Sequence, residues 1–243
     1  MDFILQGINI CKRFGGLTAL ENVTFSVKQR EILGIIGPNG AGKTTLFNVI
    51  TGFERPNSGK ILLKEKEITG LPPHRIFRLG IARTFQIAKP FKNMTVLENV
   101  MFSVVFRKKE NLKTAHETAL QTLRFVDLEN KANEKAGNLQ LQQERMLEVA
   151  RAIASRPDII LFDEIVAGLN PAEILDLVKL IRRIRDEFGV TICWVEHVMK
   201  AIMTASERII VLVGGKKIAE GSPKEVATNE KVIQAYLGER YVS

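Results

Sequence analysis

Gly37-Pro38-Asn39-Gly40-Ala41-Gly42-Lys43-Thr44-Thr45 follows directly on the apolar run Ile32-Leu33-Gly34-Ile35-Ile36. A buried strand, a glycine-rich turn and a helix are the setting in which the pattern G-x-x-x-x-G-K-[ST] binds phosphate. Gly37, Gly40 and Gly42 let successive backbone N–H groups curl around the phosphates, with Asn39 in the same turn. A helix over about Lys43 to Thr51 points its positive end at them. The stretch predicts a nucleoside triphosphate with Mg²⁺: Lys43 on the β- and γ-phosphates, the Thr44 hydroxyl on Mg²⁺ and Thr45 on the α-phosphate.

Outward from this loop, strands and helices alternate. Phe3 to Ile10, Val23 to Val27 and Gly59 to Leu63 read as strands around the loop. From about Met94 to Ala154 the pattern is helical, with apolar residues at i, i+3 and i+4 over Ala115 to Val126 and Met146 to Ile153. Asp158 to Asp163, Val190 to Val195 and Arg208 to Val213 are further strands. Between them, Asn170-Pro171-Ala172-Glu173 opens a helix with an Asn cap, Pro first and Glu third, and that helix stops near Gly189. Alternation of this kind implies a parallel sheet covered by helices.

Two strand ends carry chemistry. Ile159-Ile160-Leu161-Phe162-Asp163-Glu164 is an apolar strand closed by two acids. Beside a phosphate loop this is the Walker B form, with Asp163 placed to hold Mg²⁺ through water and Glu164 to orient or deprotonate the attacking water. Val195-Glu196-His197 ends the next strand, and parallel strands deliver their C-terminal residues to one edge, so His197 is a candidate sensor of the γ-phosphate. His74 and His116 have no such placement and read as surface residues.

Composition bounds the rest. The 243 residues suffice for a sizeable core, with 45% hydrophobic and 26% charged residues as in ordinary globular chains. No apolar stretch approaches the roughly 18 residues that a bilayer span needs, and Met1 to Gln6 shows no secretory signal. Two cysteines, Cys11 and Cys193, sit in strand-like runs and read as reduced core residues suited to the cytosol. The net charge of +8 comes from lysines and arginines spread along the chain, with Arg107-Lys108-Lys109 and Arg182-Arg183 as the short clusters. It therefore reads as solvated faces, compatible with an anionic membrane surface, and no nucleic-acid partner is expected.

Together these pieces resemble the ATPase subunit of ATP-binding cassette (ABC) transporters over almost the whole chain. The resemblance adds Phe14, in Lys12-Arg13-Phe14-Gly15-Gly16, as the aromatic that stacks on adenine. It adds Gln86, in Arg83-Thr84-Phe85-Gln86, as the Q-loop glutamine that touches Mg²⁺ and links to the membrane partner, and Ala167-Gly168-Leu169-Asn170-Pro171 as the D-loop. His197 matches the switch histidine. Phe14 to Leu20, Met94 to Val100 and the ending Ala235-Tyr236-Leu237-Gly238-Glu239 are similar to the branch that serves branched-chain amino-acid importers. The resemblance implies one α/β P-loop NTPase domain over 1–243 with a RecA-like parallel sheet core, an N-terminal antiparallel β subdomain and an inserted helical subdomain at about 90–155. It implies ATP and Mg²⁺ as cofactors, a second ABC ATPase subunit and two membrane-spanning permease subunits as partners, and a place on the inner face of the cell membrane. The alternatives are a soluble, non-transport ABC ATPase and a regulatory nucleotide-binding subunit with weak turnover.

The family's signature, Leu-Ser-Gly-Gly-Gln, falls here on Leu139-Gln140-Leu141-Gln142-Gln143. The Ser and both glycines are missing. By the resemblance, this segment is a helix N-terminus that binds the γ-phosphate held by a partner subunit. Gln142 then places a side chain where phosphate needs close backbone approach, and Gln140 removes the hydroxyl. Glutamine also favours helix, so the helix is expected to start early, capped by Asn138. Ile165, where the family has Pro, is expected to loosen the lead into the D-loop. The chain thus reads as one competent half of an unequal pair, a heterodimer being favoured over a homodimer.

Overall fold

The computed structural model describes residues 3–85, 89–108 and 110–240. The chain divides into two compact units, one built from residues 1–76 and 191–243, the other from 77–190.

The first unit opens with two long strands, β1 (Phe3–Phe14) and β2 (Leu17–Lys28), joined at Gly15-Gly16. β3 (Ile32–Ile36) runs into α1 (Lys43–Ile50), and β4 (Ser58–Leu63) and the short β5 (Lys66–Glu67) follow. β2, β1, β4 and β5 form an antiparallel sheet in that order. The chain then passes through α2 (Pro73–Leu79) into the second unit.

There β6 (Ile81–Arg83) precedes three helices, α3 (Val96–Lys108), α4 (Leu112–Phe125) and α5 (Leu141–Ala154). β7 (Ile159–Asp163) pairs in parallel with β6, and α6 (Pro171–Phe188) completes the unit. The Asn170 side chain accepts from the N–H groups of Ala172 and Glu173, and Glu173 Oε2 accepts from Asn170 N–H at 2.8 Å. The predicted capping box therefore forms, and Gly189 ends α6 in the left-handed conformation that glycine tolerates best.

Back in the first unit come β8 (Thr191–Val195), α7 (Met199–Ala205), β9 (Arg208–Val213), β10 (Lys216–Gly221), α8 (Pro223–Ala227) and α9 (Glu230–Arg240). β3 is parallel to both β8 and β9, with Ile35 opposite Val195 and Ile210, while β10 turns back antiparallel on β9. All five residues of β3, of β7 and of β8 are buried, because helices cover both faces of parallel strands. Trp194, Phe47 and Phe162 are the largest fully buried side chains.

Cys193 lies in this core, whereas Cys11 does not. Its thiol is half-buried, donating to Asn22 Oδ1 at 3.2 Å and accepting from Asn22 N–H at 3.3 Å. The strand-like run was the right reading for Cys11, but its side chain falls on the less covered part of β1. Among the described residues, no helix is long and apolar enough to cross a membrane.

Candidate functional site

In the first unit, the parallel pairing of β3 with β8 sends Gly37 and Glu196-His197 out of the same sheet edge. The glycine loop is shaped by backbone that few other residues accept. Gly42 caps α1 at φ 100°, and a Cβ there would stand 2.5 Å from the Ala19 carbonyl oxygen. Gly37 leaves β3 so close to β9 that a Cβ would lie 2.1 Å from the Leu212 carbonyl oxygen. Asn39 and Gly40 are exposed on the loop, the latter at φ 75°. Lys43 is only 5% exposed, and its Nζ donates to the carbonyls of Gly37 at 2.7 Å and Pro38 at 2.9 Å. The ammonium thus closes the loop over itself. Thr44 is exposed and Thr45 half-buried in the first turn of α1.

Phe14 is no core residue. At the end of β1 it is 44% exposed, with Lys12 Nζ 4.6 Å from its ring centre. Lys12 is fixed in turn by Glu54 at 2.7 Å and the Arg55 carbonyl at 3.0 Å. His197 has an open side chain with Nδ1 3.9 Å from Glu196 Oε2, and that fully buried carboxylate accepts from Trp194 Nε1 at 3.4 Å.

In the second unit, Asp163 closes β7 at 2% exposure. Its Oδ2 accepts from Arg83 Nη2 at 2.6 Å, and its N–H donates to Thr84 Oγ1 at 3.3 Å. Its Oδ1 is buried with no hydrogen-bond partner among the described residues. Glu164 follows at φ 50°, left-handed backbone that is uncommon for a glutamate and costs of order 1–3 kcal/mol. A following proline disfavours helical backbone at the residue before it, so Ile165 is compatible with that turn. Ile165 is itself 2% exposed, which anchors the start of the D-loop turn by packing rather than by ring stiffness.

The signature segment differs from expectation at its start. Asn138 ends a 3₁₀ turn over Ala136–Asn138 and caps nothing. Leu139 and Gln140 are extended, and α5 begins at Leu141. The reason is local: Gln143 Oε1 accepts the Gln140 N–H at 3.0 Å, fixing Gln140 as the cap. Gln140, Leu141 and Gln142 are exposed. A Cβ on the D-loop residue Gly168 would stand 3.1 Å from Leu141 Cδ2, so signature and D-loop of this chain are in contact.

Gln86 lies outside the described residues, but its flanks are held. Glu148 of α5 accepts from Phe85 N–H at 3.0 Å and from Lys89 N–H at 2.9 Å. Arg145 and Arg151 of the same helix donate to the carbonyls of Phe85 and Lys89 at 3.3 and 3.2 Å. Burial holds the Arg151 guanidinium below its ordinary pKa, against the opposing charge of Glu148. Sequence motifs gave none of these three a role, and Arg83 entered only as the flank of Gln86. The available signal was charge at three-residue spacing, Arg145-Glu148-Arg151, inside the buried face of α5. Beside them a cavity of about 190 Å³ is lined by Phe77, Arg83, Phe85, Phe102, Glu148 and Arg151, among others. Phe102 stands 5.1 Å from Phe91 and 5.8 Å from Phe106, ring centre to ring centre.

Residues 20–167 match the ABC transporter family, which decides the class of the protein. The chain belongs to the ABC transporter family. Residues 216–242 also match the branched-chain amino acid ATP-binding cassette transporter family. The high-affinity branched-chain amino acid transport ATP-binding protein BraF of Pseudomonas aeruginosa is 42% identical, covering 97% of this chain and 98% of that protein. LivG of Escherichia coli, of the same description, is 42% identical over the same shares. A nucleotide-free cassette of an ABC transporter superimposes with a TM-score of 0.86 at 33% identity, covering 97% of this chain and 99% of that one. A dimeric cassette in a post-hydrolysis state with ADP and phosphate superimposes at 0.82 with 28% identity, covering 90% and 98%. This ABC chain is thus an ATP-binding ATPase cassette, homologous to subunits that power transporters.

Proposed function

We propose that this cassette is the ATP-hydrolysing motor of an importer for branched-chain amino acids, paired with a second ATPase subunit of unlike signature and with two permease subunits. The observation that carries the reading is the contrast between its two halves of chemistry: a phosphate loop closed around Lys43, and a signature helix start where exposed Gln140 and Gln142 stand in place of the serine and glycine. The similarity to BraF and LivG supports the solute class.

In this reading Gly37, Asn39, Gly40, Gly42, Lys43 and Thr45 hold the phosphates and Phe14 takes the adenine. The donor set suits Mg²⁺, since Asp163 offers a buried oxygen with no competing donor and Thr44 an exposed hydroxyl. Thr44, Asp163 and Gln86 would hold the ion, which when bound neutralises charge on the β- and γ-phosphates. Glu164 orients and deprotonates the attacking water, and His197 donates to the γ-phosphoryl oxygen. The aromatic-lined cavity beside Phe102 has room for one large apolar side chain presented by a permease, which favours transport over a soluble role and membrane association on the inner face.

The test is ATP binding and hydrolysis by this chain mixed with the second ATPase subunit of its transporter. Binding that Lys43→Ala abolishes, and turnover that Glu164→Gln abolishes only when introduced in this chain, are expected. Turnover that survives Glu164→Gln here would place hydrolysis entirely in the other subunit and overturn the reading.

A further inference from the structure

We propose that Arg83 is a positioning residue for Asp163, holding that carboxylate in the orientation that serves Mg²⁺. The inference rests on the reading of Asp163 as a metal ligand.

β6 and β7 run in parallel with Arg83 opposite Leu161, so Arg83 stands two residues before the strand-end carboxylate. Both side chains are buried, 6% and 2% exposed, and Nη2 lies 2.6 Å from Oδ2. The guanidinium takes one carboxylate oxygen and leaves the other, Oδ1, buried with no hydrogen bond. A purely structural ion pair would gain from filling both oxygens, because a buried polar atom left unmatched costs about 1–3 kcal/mol. One oxygen fixed and one vacant is the arrangement expected around a metal ligand, whose outer partners set its direction.

Arg83 is itself fixed from the other side. Its guanidinium carbon stands 5.1 Å from the Phe85 ring centre, and Phe85 is tied to α5 through Glu148 and Arg145. Thr84, between them, donates its N–H to the Leu161 carbonyl at 3.0 Å while its hydroxyl accepts from Asp163. Three consecutive residues thus brace the end of β7. A flat guanidinium can bond the carboxylate and stack on a ring at once, which an ammonium does not do equally well.

The experiment is a Mg²⁺ titration of fluorescent ATP-analogue binding to the full chain, with the same binding measured in EDTA. Arg83→Met should raise the Mg²⁺ concentration at half-saturation about 10–100-fold, leaving EDTA binding unchanged. Arg83→Lys keeps the charge and the fold, and should raise it less, by about threefold or more. A lowered melting temperature with wild-type Mg²⁺ dependence in both variants would reduce Arg83 to a structural role and overturn the proposal. Asp163→Asn separates the two readings. If it shifts the Mg²⁺ dependence and the Arg83 variants do not, only the role of Arg83 falls; if it shifts nothing, the reading of Asp163 falls and takes the proposal with it.

Discussion

Restoring the signature is the most direct perturbation of the unequal-pair reading. In Gln140→Ser/Gln142→Gly, the first change sits at the cap of α5, where the backbone is already extended at φ −74° and ψ 160°. Serine accepts from the third helical N–H there, a gain of about 0.5–2 kcal/mol over a non-capping residue. The second change falls on the second helical residue, where glycine costs at most about 1 kcal/mol. The two nearly cancel, so the melting temperature should move by only a few degrees and any change in turnover is not a folding effect. Because the exposed Gln140 and Gln142 stand where the family has a serine hydroxyl and a glycine, the wild-type helix end lacks one donor and the close backbone approach that a phosphate needs. One preorganised donor is worth about 10²–10³ in rate. Phosphate release by the purified chain alone, at saturating ATP and Mg²⁺, should therefore rise about 10²-fold or more in the double variant. Equal turnover by the unmodified chain would refute the argument from the signature.

Three further outcomes follow from local physics. Val198 caps α7 with no side-chain hydrogen bond, so Val198→Asp should stabilise the chain by about 0.5–2 kcal/mol, seen as a higher melting temperature; an unchanged or lower one would show that the cap is not limiting. Burial pushes the Glu220 carboxyl up, but Lys217 and Arg208 outweigh it and hold it below its ordinary value of 4.5. Its stabilising effect is therefore present above pH 4.5 and lost as pH falls through the lower folded value, so Glu220→Gln should flatten the melting-temperature profile in that acid range alone. Burial, with the nearby Glu31 charge, pushes the Cys193 thiol up, so an alkylating reagent near neutral pH should label it only on unfolding; labelling of the native chain at the rate of an exposed thiol would contradict its burial.

The sequence by itself determined what local rules govern. The phosphate loop, the two acids closing an apolar strand and the Asn170-Pro171-Glu173 helix start each lie within a few residues, and each formed as read. The start of α5 was misread because two ways of capping compete there, Asn138 against the Gln140–Gln143 pair, and propensity does not separate them. Only the tertiary structure decided which charges meet. Arg83 finds Asp163 across 80 residues of chain, and Glu148 finds Phe85 across 63. Such pairs follow from which strands lie side by side and which helix face turns inward, and no short spacing records them. The phosphate loop was legible because its chemistry is backbone and contiguous. The setting of Asp163 was not, because a buried charge takes its partner from whichever segment the fold brings against it.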